Sequence, residues 1–209
     1  MNHVDGEGAE NIIEGNTCDV ATTGANIQLT TNDGGHTLPG NIVRGNICRG
    51  AAGDGIEARR SPESIIEGNK CYDAEDYGIY IVDSPRTQVI GNTSSDHAAT
   101  GGRGIYIQSD DCIVSGNMCE GNNQQGIEVV GKSHCTIVGN FCENNSGNGI
   151  ELTNATYCIV TGNQSNNNID GVEENGTSDY NIITSNVNKD NSANAIVTSG
   201  ANTVAANNL

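Results

Sequence analysis

The sequence of 209 residues contains no tryptophan, one phenylalanine and three prolines. A conventional globular core relies on bulky apolar side chains, and hydrophobic residues make up only 34% of this chain. Basic residues are also few, because nine Lys and Arg face 26 Asp and Glu and leave a net charge of −17. This balance argues against nucleic acid or an anionic membrane as the partner, since both attract clustered Lys and Arg.

Long apolar runs are missing as well. No stretch approaches the roughly 18 residues that a membrane span requires, so we expect no membrane insertion. The opening residues, Met1 to Asp5, show neither the basic nor the apolar region of a signal peptide.

Glycine and asparagine are abundant, and their positions repeat. Asparagines recur at intervals of 22 to 30 residues, most often 23, over nearly the whole chain. A fixed period of this length is typical of a solenoid. The recurring residues are Asn16, Asn46, Asn69, Asn92, Asn117, Asn140, Asn163, Asn186 and Asn208.

Other columns follow the same period. A β-branched residue lies three positions before nearly every repeated Asn, and a Gly followed by an apolar-polar-apolar triplet lies later in most repeats, as in Gly78 to Ile81. Each repeat therefore holds about three short strands, which bury a face only by stacking on the next repeat. We predict an all-β, right-handed parallel β-helix of about eight coils of ~23 residues, forming one domain over residues 1–209.

The repeated asparagines are predicted to be structural. In stacked coils, each amide lies beside its equivalent and satisfies buried backbone groups, so we expect an internal ladder that includes Asn46, Asn69, Asn92, Asn117, Asn140 and Asn163. The eight cysteines fall into two columns of the same period, and we expect core thiols rather than disulfides or a zinc site. Residues 1–10 are predicted to be irregular, with loop insertions near 30–40 and 95–103.

These repeats resemble the parallel β-helix coils of the pectate-lyase-like superfamily, which includes polysaccharide lyases, epimerases and phage tailspikes. The resemblance spans Asn11 to Asn208 and rests on scaffold positions. It implies a polysaccharide partner and an extracellular or virion-associated location. In this superfamily the strand after the Gly usually lines an outer groove that holds sugar chains. The Asp-Pro-His triplet of the epimerases and the Asp cluster that binds Ca²⁺ in pectate lyases are absent here.

The middle residues of these strands form an outward column. Its members are Gln28, Glu57, Tyr80, Tyr106, Glu128, Glu151 and Glu173. We expect Tyr80, Glu57, Arg59 and Glu151 to bind substrate. The neighbouring Glu128 and Glu151 would either perform acid-base chemistry or hold Ca²⁺, because two close carboxylates raise a pKa or attract a cation. The alternative is a solvated polar face.

Two departures from the period point to loops, where binding residues collect on solenoids. The insertion near 95–103 places His97 and Arg103 just before Tyr106, and we predict that both overhang Tyr80 and Tyr106. Tyr106, His97, Arg103 and Glu128 are the predicted catalytic residues. The resemblance implies that such a His or Arg neutralises or deprotonates a uronate in a lyase or epimerase. An idle surface loop is the alternative.

A stripe of isoleucines precedes the asparagine column by four residues. It comprises Ile12, Ile42, Ile65, Ile113, Ile159 and Ile182. If these side chains point outward, the stripe or the open coil ends would support a homo-oligomer. The competing hypothesis for function is therefore a non-enzymatic structural or adhesin rod, or a phage tail-fibre segment.

Overall fold

The computed structural model describes residues 2–4 as backbone and residues 10–30, 36–98 and 100–209 in full, and it shows an all-β solenoid. In chain order the strands are β1 (Asn2–Val4), β2 (Ile12–Glu14), β3 (Thr17–Asp19), β4 (Ile27–Leu29), β5 (Ile42–Arg44), β6 (Ile47–Arg49), β7 (Ile56–Arg59), β8 (Ile65–Glu67), β9 (Lys70–Tyr72), β10 (Tyr77–Val82), β11 (Gln88–Ile90), β12 (Thr93–Ser95) and β13 (Arg103–Gln108). They continue as β14 (Ile113–Ser115), β15 (Met118–Glu120), β16 (Ile127–Val130), β17 (Thr136–Val138), β18 (Phe141–Glu143), β19 (Ile150–Thr153), β20 (Ile159–Thr161), β21 (Gln164–Asn166), β22 (Val172–Asn175), β23 (Ile182–Thr184), β24 (Val187–Lys189), β25 (Ile196–Val197) and β26 (Val204–Ala206).

The strands form three parallel sheets, and every third strand belongs to the same sheet. The first sheet has nine strands in the order β1-β4-β7-β10-β13-β16-β19-β22-β25. The second has nine in the order β2-β5-β8-β11-β14-β17-β20-β23-β26, and the third has eight from β3 to β24. The predicted parallel β-helix, with three strands in each coil of ~23 residues, is confirmed.

The core consists of stacked equivalent residues. In the second sheet the β-branched column points inward, so that Val89 pairs with Ile66 on one side and Val114 on the other, and all three are buried. Single apolar residues from each strand suffice because each coil covers the next at about 4.8 Å. A core of this kind needs no tryptophan.

The repeated asparagines connect every coil to the next. Each side-chain amide from Asn16 to Asn186 donates to the amide oxygen of the following Asn at 2.9–3.1 Å. The second hydrogen of Asn69 reaches the carbonyl of Val43, and its backbone N–H donates to Asn92 Oδ1. These bonds satisfy turn groups that are buried away from water.

Small residues of the third sheet pack against the glycines that begin the strands of the first sheet. A Cβ on Gly78 would lie 1.7 Å from Ser94 Oγ and 2.7 Å from the Gly104 carbonyl, so no other residue fits there. All eight cysteines are free thiols, and all except Cys18 are buried.

A second column of hydrogen-bonding side chains lies at the turn after the third sheet. Asn122 donates to Asn145 and Asn145 donates to Asn168, each with its backbone and side-chain N–H. His97 occupies the same column one coil before Asn122, whose Oδ1 accepts the His97 backbone N–H. This column was not among the predictions made from the sequence.

The irregular parts of the sequence are only partly described. Residues 1–10, predicted to be irregular, include β1, which pairs in parallel with β4. Residues 31–35 and Ala99, within the two predicted insertions, lie outside the described residues. Within the described ranges no helix has the length and apolar character of a membrane span.

The outer face of the second sheet is uncharged along six consecutive strands, β11 to β26. Ile113, Ile159 and Ile182 are 41%, 39% and 43% exposed, as expected if the isoleucine stripe points outward. No outward residue of these strands is charged, and the set comprises Gln88, Ile90, Ile113, Ser115, Thr136, Val138, Ile159, Thr161, Ile182, Thr184, Val204 and Ala206.

Candidate functional site

The predicted outward column is continuous on the first sheet. Strand pairing places Tyr80 between Glu57 and Tyr106, and it places Glu128 between Tyr106 and Glu151. Neighbouring side chains are therefore one strand spacing apart, about 4.8 Å. The aromatic rings thus lie between Glu57 on one side and a row of carboxylates that begins at Glu128 on the other.

Three tyrosines pack together on this face, and we call Tyr77, Tyr80 and Tyr106 the tyrosine cluster. The rings of Tyr77 and Tyr106 are stacked, with centroids 4.6 Å apart, and the Tyr80 centroid lies 5.0 and 5.5 Å from them. All three rings are partly exposed. Tyr77 was not predicted because it precedes the Gly of the repeat, and the structure shows it as the first residue of the six-residue strand β10.

Two arginines lie over these rings. The guanidinium carbon of Arg103 is 5.0 Å from the Tyr106 centroid and 5.8 Å from that of Tyr77, and Arg59 is 5.7 Å from Tyr80. All three distances suit cation–π attraction. Arg103 thus lies where the sequence placed it, beside Tyr106.

Each arginine is also ion-paired with a glutamate of the column. Arg59 binds Glu57 at 2.8 Å, and Arg103 binds Glu128. The Glu57 and Glu128 side chains are 8% and 6% exposed, far less than a solvated outward face would show. A buried carboxylate needs such a partner, because water no longer stabilises its charge.

Amides and a hydroxyl satisfy the carboxylates beyond Glu128. Glu151 accepts hydrogen bonds from Gln125, Asn148 and Thr153, and the Thr153 hydroxyl lies 2.9 Å from Glu151 and 3.2 Å from Glu128. Glu151 is buried, and the only ion pair on this half of the described face is that of Arg103. Hydrogen bonds between side chains thus connect the carboxylates of Glu128 and Glu151 to each other and to their neighbours.

Burial shifts the protonation of several groups. Desolvation raises the pKa of Tyr106 to about 12, with the Glu128 charge adding to the rise, and it raises the pKa of Tyr77 and Tyr80. These hydroxyls are therefore neutral hydrogen-bonding groups near neutral pH. The Tyr80 hydroxyl donates to Gln108 Oε1 at 2.7 Å. Desolvation also raises the pKa of Glu128, against the lowering effect of Arg103.

The predicted position of His97 is wrong. The residue is fully buried inside the solenoid and does not overhang the tyrosine cluster. The Ala74 backbone N–H donates to its Nδ1, and its Nε2 lies 3.0 Å from Ser94 Oγ, whose own hydrogen goes to the Gly104 carbonyl. The imidazole is thus neutral with its proton on Nε2, and desolvation lowers its pKa to about 4. His97 interrupted the asparagine pattern of this column, so its burial could not be read from the sequence.

Calcium binding by Glu128 and Glu151 stays a prediction. Among the described residues no group of three or more His, Cys, Asp or Glu side chains is placed to hold a metal ion. Arg103 is ion-paired with Glu128, so this carboxylate already has a positively charged partner from the protein.

Comparisons with known proteins agree with the architecture. The sequence matches the family described as right handed beta helix region over residues 3–109 and 100–209. A comparison with curated protein sequences returned no match.

Solved structures resemble the chain in fold. The A-module of the mannuronan C-5 epimerase AlgE6 from Azotobacter vinelandii has a TM-score of 0.72 and 15% identity, covering 99% of this chain and 57% of its own. The periplasmic alginate epimerase AlgG has a TM-score of 0.67 and 19% identity, covering 82% and 46%. The Dettilon tailspike protein has a TM-score of 0.55 and 14% identity, covering 95% and 53%. The chain thus spans about half the length of these structures, and the likeness concerns the fold.

Proposed function

Since the chain belongs to the right-handed beta helix family, we propose that the outer face of its first sheet binds a polysaccharide, with the tyrosine cluster as the main contact. The observation that carries this proposal is the packing of three partly exposed tyrosine rings on one face, supported by Arg59 and Arg103. Sugar rings present C–H faces that pack on aromatic rings, and their hydroxyls pair with carboxylates and amides. The names of the similar structures, alginate epimerases and a tailspike, agree with a carbohydrate ligand.

The charges on this face favour a neutral glycan. Four outward carboxylates, Glu57, Glu128, Glu151 and Glu173, outnumber the two guanidinium groups, and both guanidinium groups are ion-paired. A uronate polymer would need cations that are not already engaged, because like charges repel in this half-buried site. Lyase or epimerase chemistry on a uronate stays a prediction that these ion pairs disfavour.

The test is a binding panel that compares neutral and acidic oligosaccharides of equal length. The chain has no tryptophan, and three of its six tyrosines form the cluster, so half of the residues that give the intrinsic fluorescence lie in the site. We expect saturable quenching by at least one neutral oligosaccharide and none by oligogalacturonate or alginate fragments. Tyr106→Ala should weaken binding about tenfold, since one stacked ring contributes roughly 1.4 kcal/mol.

Tyr157→Ala is the matched control. Tyr157 is 52% exposed and stacks on Tyr180, away from the tyrosine cluster, so its removal should leave affinity unchanged. Equal losses in both variants, tighter binding of acidic glycans, or no binding across the panel would each contradict the proposal.

A second candidate function is a structural rod that associates side by side. It is favoured by the uncharged outer face of the second sheet in a chain of net charge −17. Two such faces can meet without charge repulsion, whereas the carboxylate row of the first sheet cannot. Either function agrees with an extracellular or virion-associated location.

A further inference from the structure

Asn175 and Gly176 form one of the two Asn-Gly sequences in the chain, and the other is Asn148-Gly149. An asparagine side chain can react with the backbone nitrogen of the next residue, and glycine favours this reaction because it has no side chain to obstruct the attack. The product carries a carboxylate in place of the amide, and no enzyme is needed. The fold places these two pairs in opposite environments.

Asn175 is the last residue of β22, and it is exposed together with Gly176. Its Oδ1 accepts the backbone N–H of Gly176 at 2.7 Å, so the glycine nitrogen lies no more than about 4 Å from the side-chain carbonyl carbon. Groups that are poised to react with each other lie about 3–3.5 Å apart. Rotation of the amide about its Cβ–Cγ bond therefore turns the carbonyl carbon towards a nitrogen that is already close.

The Gly176 nitrogen is available because the backbone hydrogen bonds between coils stop at this turn. In the two preceding coils the equivalent N–H groups, those of Gly131 and Asn154, donate to the carbonyls of Thr153 and Asn175 at 2.8 and 3.1 Å. Among the described residues no backbone carbonyl accepts the Gly176 N–H. Attack by this nitrogen thus breaks no backbone bond between coils.

Neighbouring side chains hold both reacting groups in place. Asn154 Oδ1 accepts the Thr177 N–H at 2.9 Å and the Thr177 hydroxyl at 3.1 Å, which fixes the peptide that follows Gly176. A Cβ on Gly176 would overlap the same oxygen, so only glycine fits there. On the other side, the Asn175 amide nitrogen donates to Glu151 Oε1 at 3.4 Å. The fold therefore keeps this pair near its reactive geometry.

The second pair has the same sequence in a closed environment. Asn148 is 6% exposed, and its amide nitrogen donates to both Glu151 and Glu173. Its Oδ1 accepts the Asp170 N–H at 3.0 Å, and the Gly149 N–H donates to the Asp170 carbonyl at 2.9 Å. Attack at Asn148 would break buried hydrogen bonds that join two coils, so this pair is protected in the folded chain.

We propose that Asn175 is a self-modification site, at which the folded chain deamidates through a succinimide ring formed with Gly176. The Gly176 nitrogen gives its proton to solvent base and bonds to Asn175 Cγ, and the Cγ–Nδ2 bond breaks as ammonia leaves with a proton from solvent. Water then opens the ring at either carbonyl. Cleavage of the new N–Cγ bond gives aspartate, and cleavage of the original peptide bond gives isoaspartate, so the net change consumes one water and releases one ammonia.

The product changes the row of carboxylates on the first sheet. The new carboxylate takes the place of a hydrogen-bond donor to Glu151 and repels the charge of this buried side chain. Isoaspartate also adds a methylene group to the main chain where β22 ends. The modified chain is therefore more acidic at this end of the row.

Peptide mapping tests the site on the intact folded protein. The chain is incubated in mildly alkaline buffer and then digested with a protease that cleaves after glutamate, which separates the two Asn-Gly pairs at Glu151. Mass spectrometry detects the exchange of an amino group for a hydroxyl, and methylation by a protein isoaspartate methyltransferase detects isoaspartate. We expect Asn175 to react at least about tenfold faster than Asn148, because reaction at Asn148 first requires a buried coil to open.

The same chain unfolded in guanidinium chloride separates the effect of the fold from that of the sequence. Both pairs should then react at similar rates, and Asn175 should react at least as fast folded as unfolded, because the fold already holds the Gly176 nitrogen near the carbonyl. Asn175→Gln is the matched variant. Its longer side chain does not close the same ring, so the acidic species that wild type accumulates in isoelectric focusing should be absent.

Three results would overturn the proposal. They are equal rates at Asn175 and Asn148 in the folded chain, a folded Asn175 that reacts more slowly than the unfolded one, and an acidic species that Asn175→Gln still forms at the wild-type rate.

Discussion

The outer faces of the first and second sheets share one backbone scaffold and differ almost completely in chemistry. The first sheet presents the tyrosine cluster, two arginines and a row of glutamates, and several of these charged groups are buried. From β11 onward the second sheet presents only Ile, Val, Thr, Ser, Ala and Gln. Inward columns of apolar residues run through both, and the asparagine ladder lies in the turn between the second and third sheets.

This difference shows which residues maintain the solenoid and which are available for a functional site. The inward residues are fixed by stacking and so repeat from coil to coil, whereas outward residues are free to vary because no neighbouring layer covers them. Charges on the first sheet are nonetheless buried, since adjacent outward side chains cover one another. A face that buries carboxylates at an energetic cost is a better candidate for function than one that exposes isoleucine.

The comparison is tested most strongly by removing one ion pair from each sheet. Arg103→Gln leaves Glu128 buried and unpaired, and we expect a loss of about 3 kcal/mol in the free energy of unfolding. Arg44→Gln removes the pair with Glu14 on the second sheet, whose side chains are 45% and 55% exposed, and should cost roughly 0.5 kcal/mol or less.

Urea unfolding at pH 7 measures the free energy of unfolding of both variants. The matched change, Arg to Gln in each case, keeps the length and polarity of the side chain similar. Equal losses would show that the carboxylates of the first sheet are as well solvated as those of the second, contrary to their burial.

The next largest effect is the pH dependence of stability that the buried His97 in the core produces. The folded-state pKa of His97, about 4, lies below its ordinary 6.5, so the unfolded chain binds a proton first and stability falls as pH drops from 6.5 to 4. His97→Asn, which restores the residue found in the next coils of that column, removes this loss. Relative to wild type, the variant should gain about 3 kcal/mol between pH 7 and pH 4.

Asp54, a buried carboxyl just before β7, gives the free energy of unfolding the opposite dependence on pH. Its folded-state pKa of about 7 exceeds the ordinary 3.8, so its burial costs stability as pH rises from 3.8 to 7. Asp54→Asn should therefore gain stability relative to wild type as pH rises, and urea unfolding across this range checks both signs. Parallel curves for wild type and either variant would contradict the burial of that group.

The smallest effect concerns association through the second sheet. If its uncharged face is an interface, Ile159→Lys should weaken self-association at least about tenfold, because it places a charge at the centre of the contact. Met118→Lys on the third sheet, where the side chain is 43% exposed, is the control. Light scattering against the 21.7 kDa chain mass gives the result, and a wild-type monomer at high concentration rules the interface out.

The period of the sequence was enough to predict the coils, the strand register and the outward column, because stacking demands the same residue type at the same place in each repeat. Tyr77 and Asp54 were not predicted, since both occupy the position before the repeated Gly, where the side chain differs from repeat to repeat. His97 was misplaced for the opposite reason. It breaks a buried column, and a break in a repeat looks like a loop until the neighbouring hydrogen bonds are known.

The asparagine bonds also have a direction. From Asn16 to Asn186 every amide donates to the Asn of the next coil, and from Asn46 to Asn208 every amide oxygen accepts from the Asn of the preceding coil, so the amide dipoles line up head to tail along the axis. Aligned dipoles polarise one another, which makes each bond stronger in a long row than in a short one. The row is therefore electrically polar along the solenoid axis: its amide oxygens face the preceding coil and its amide hydrogens face the following one.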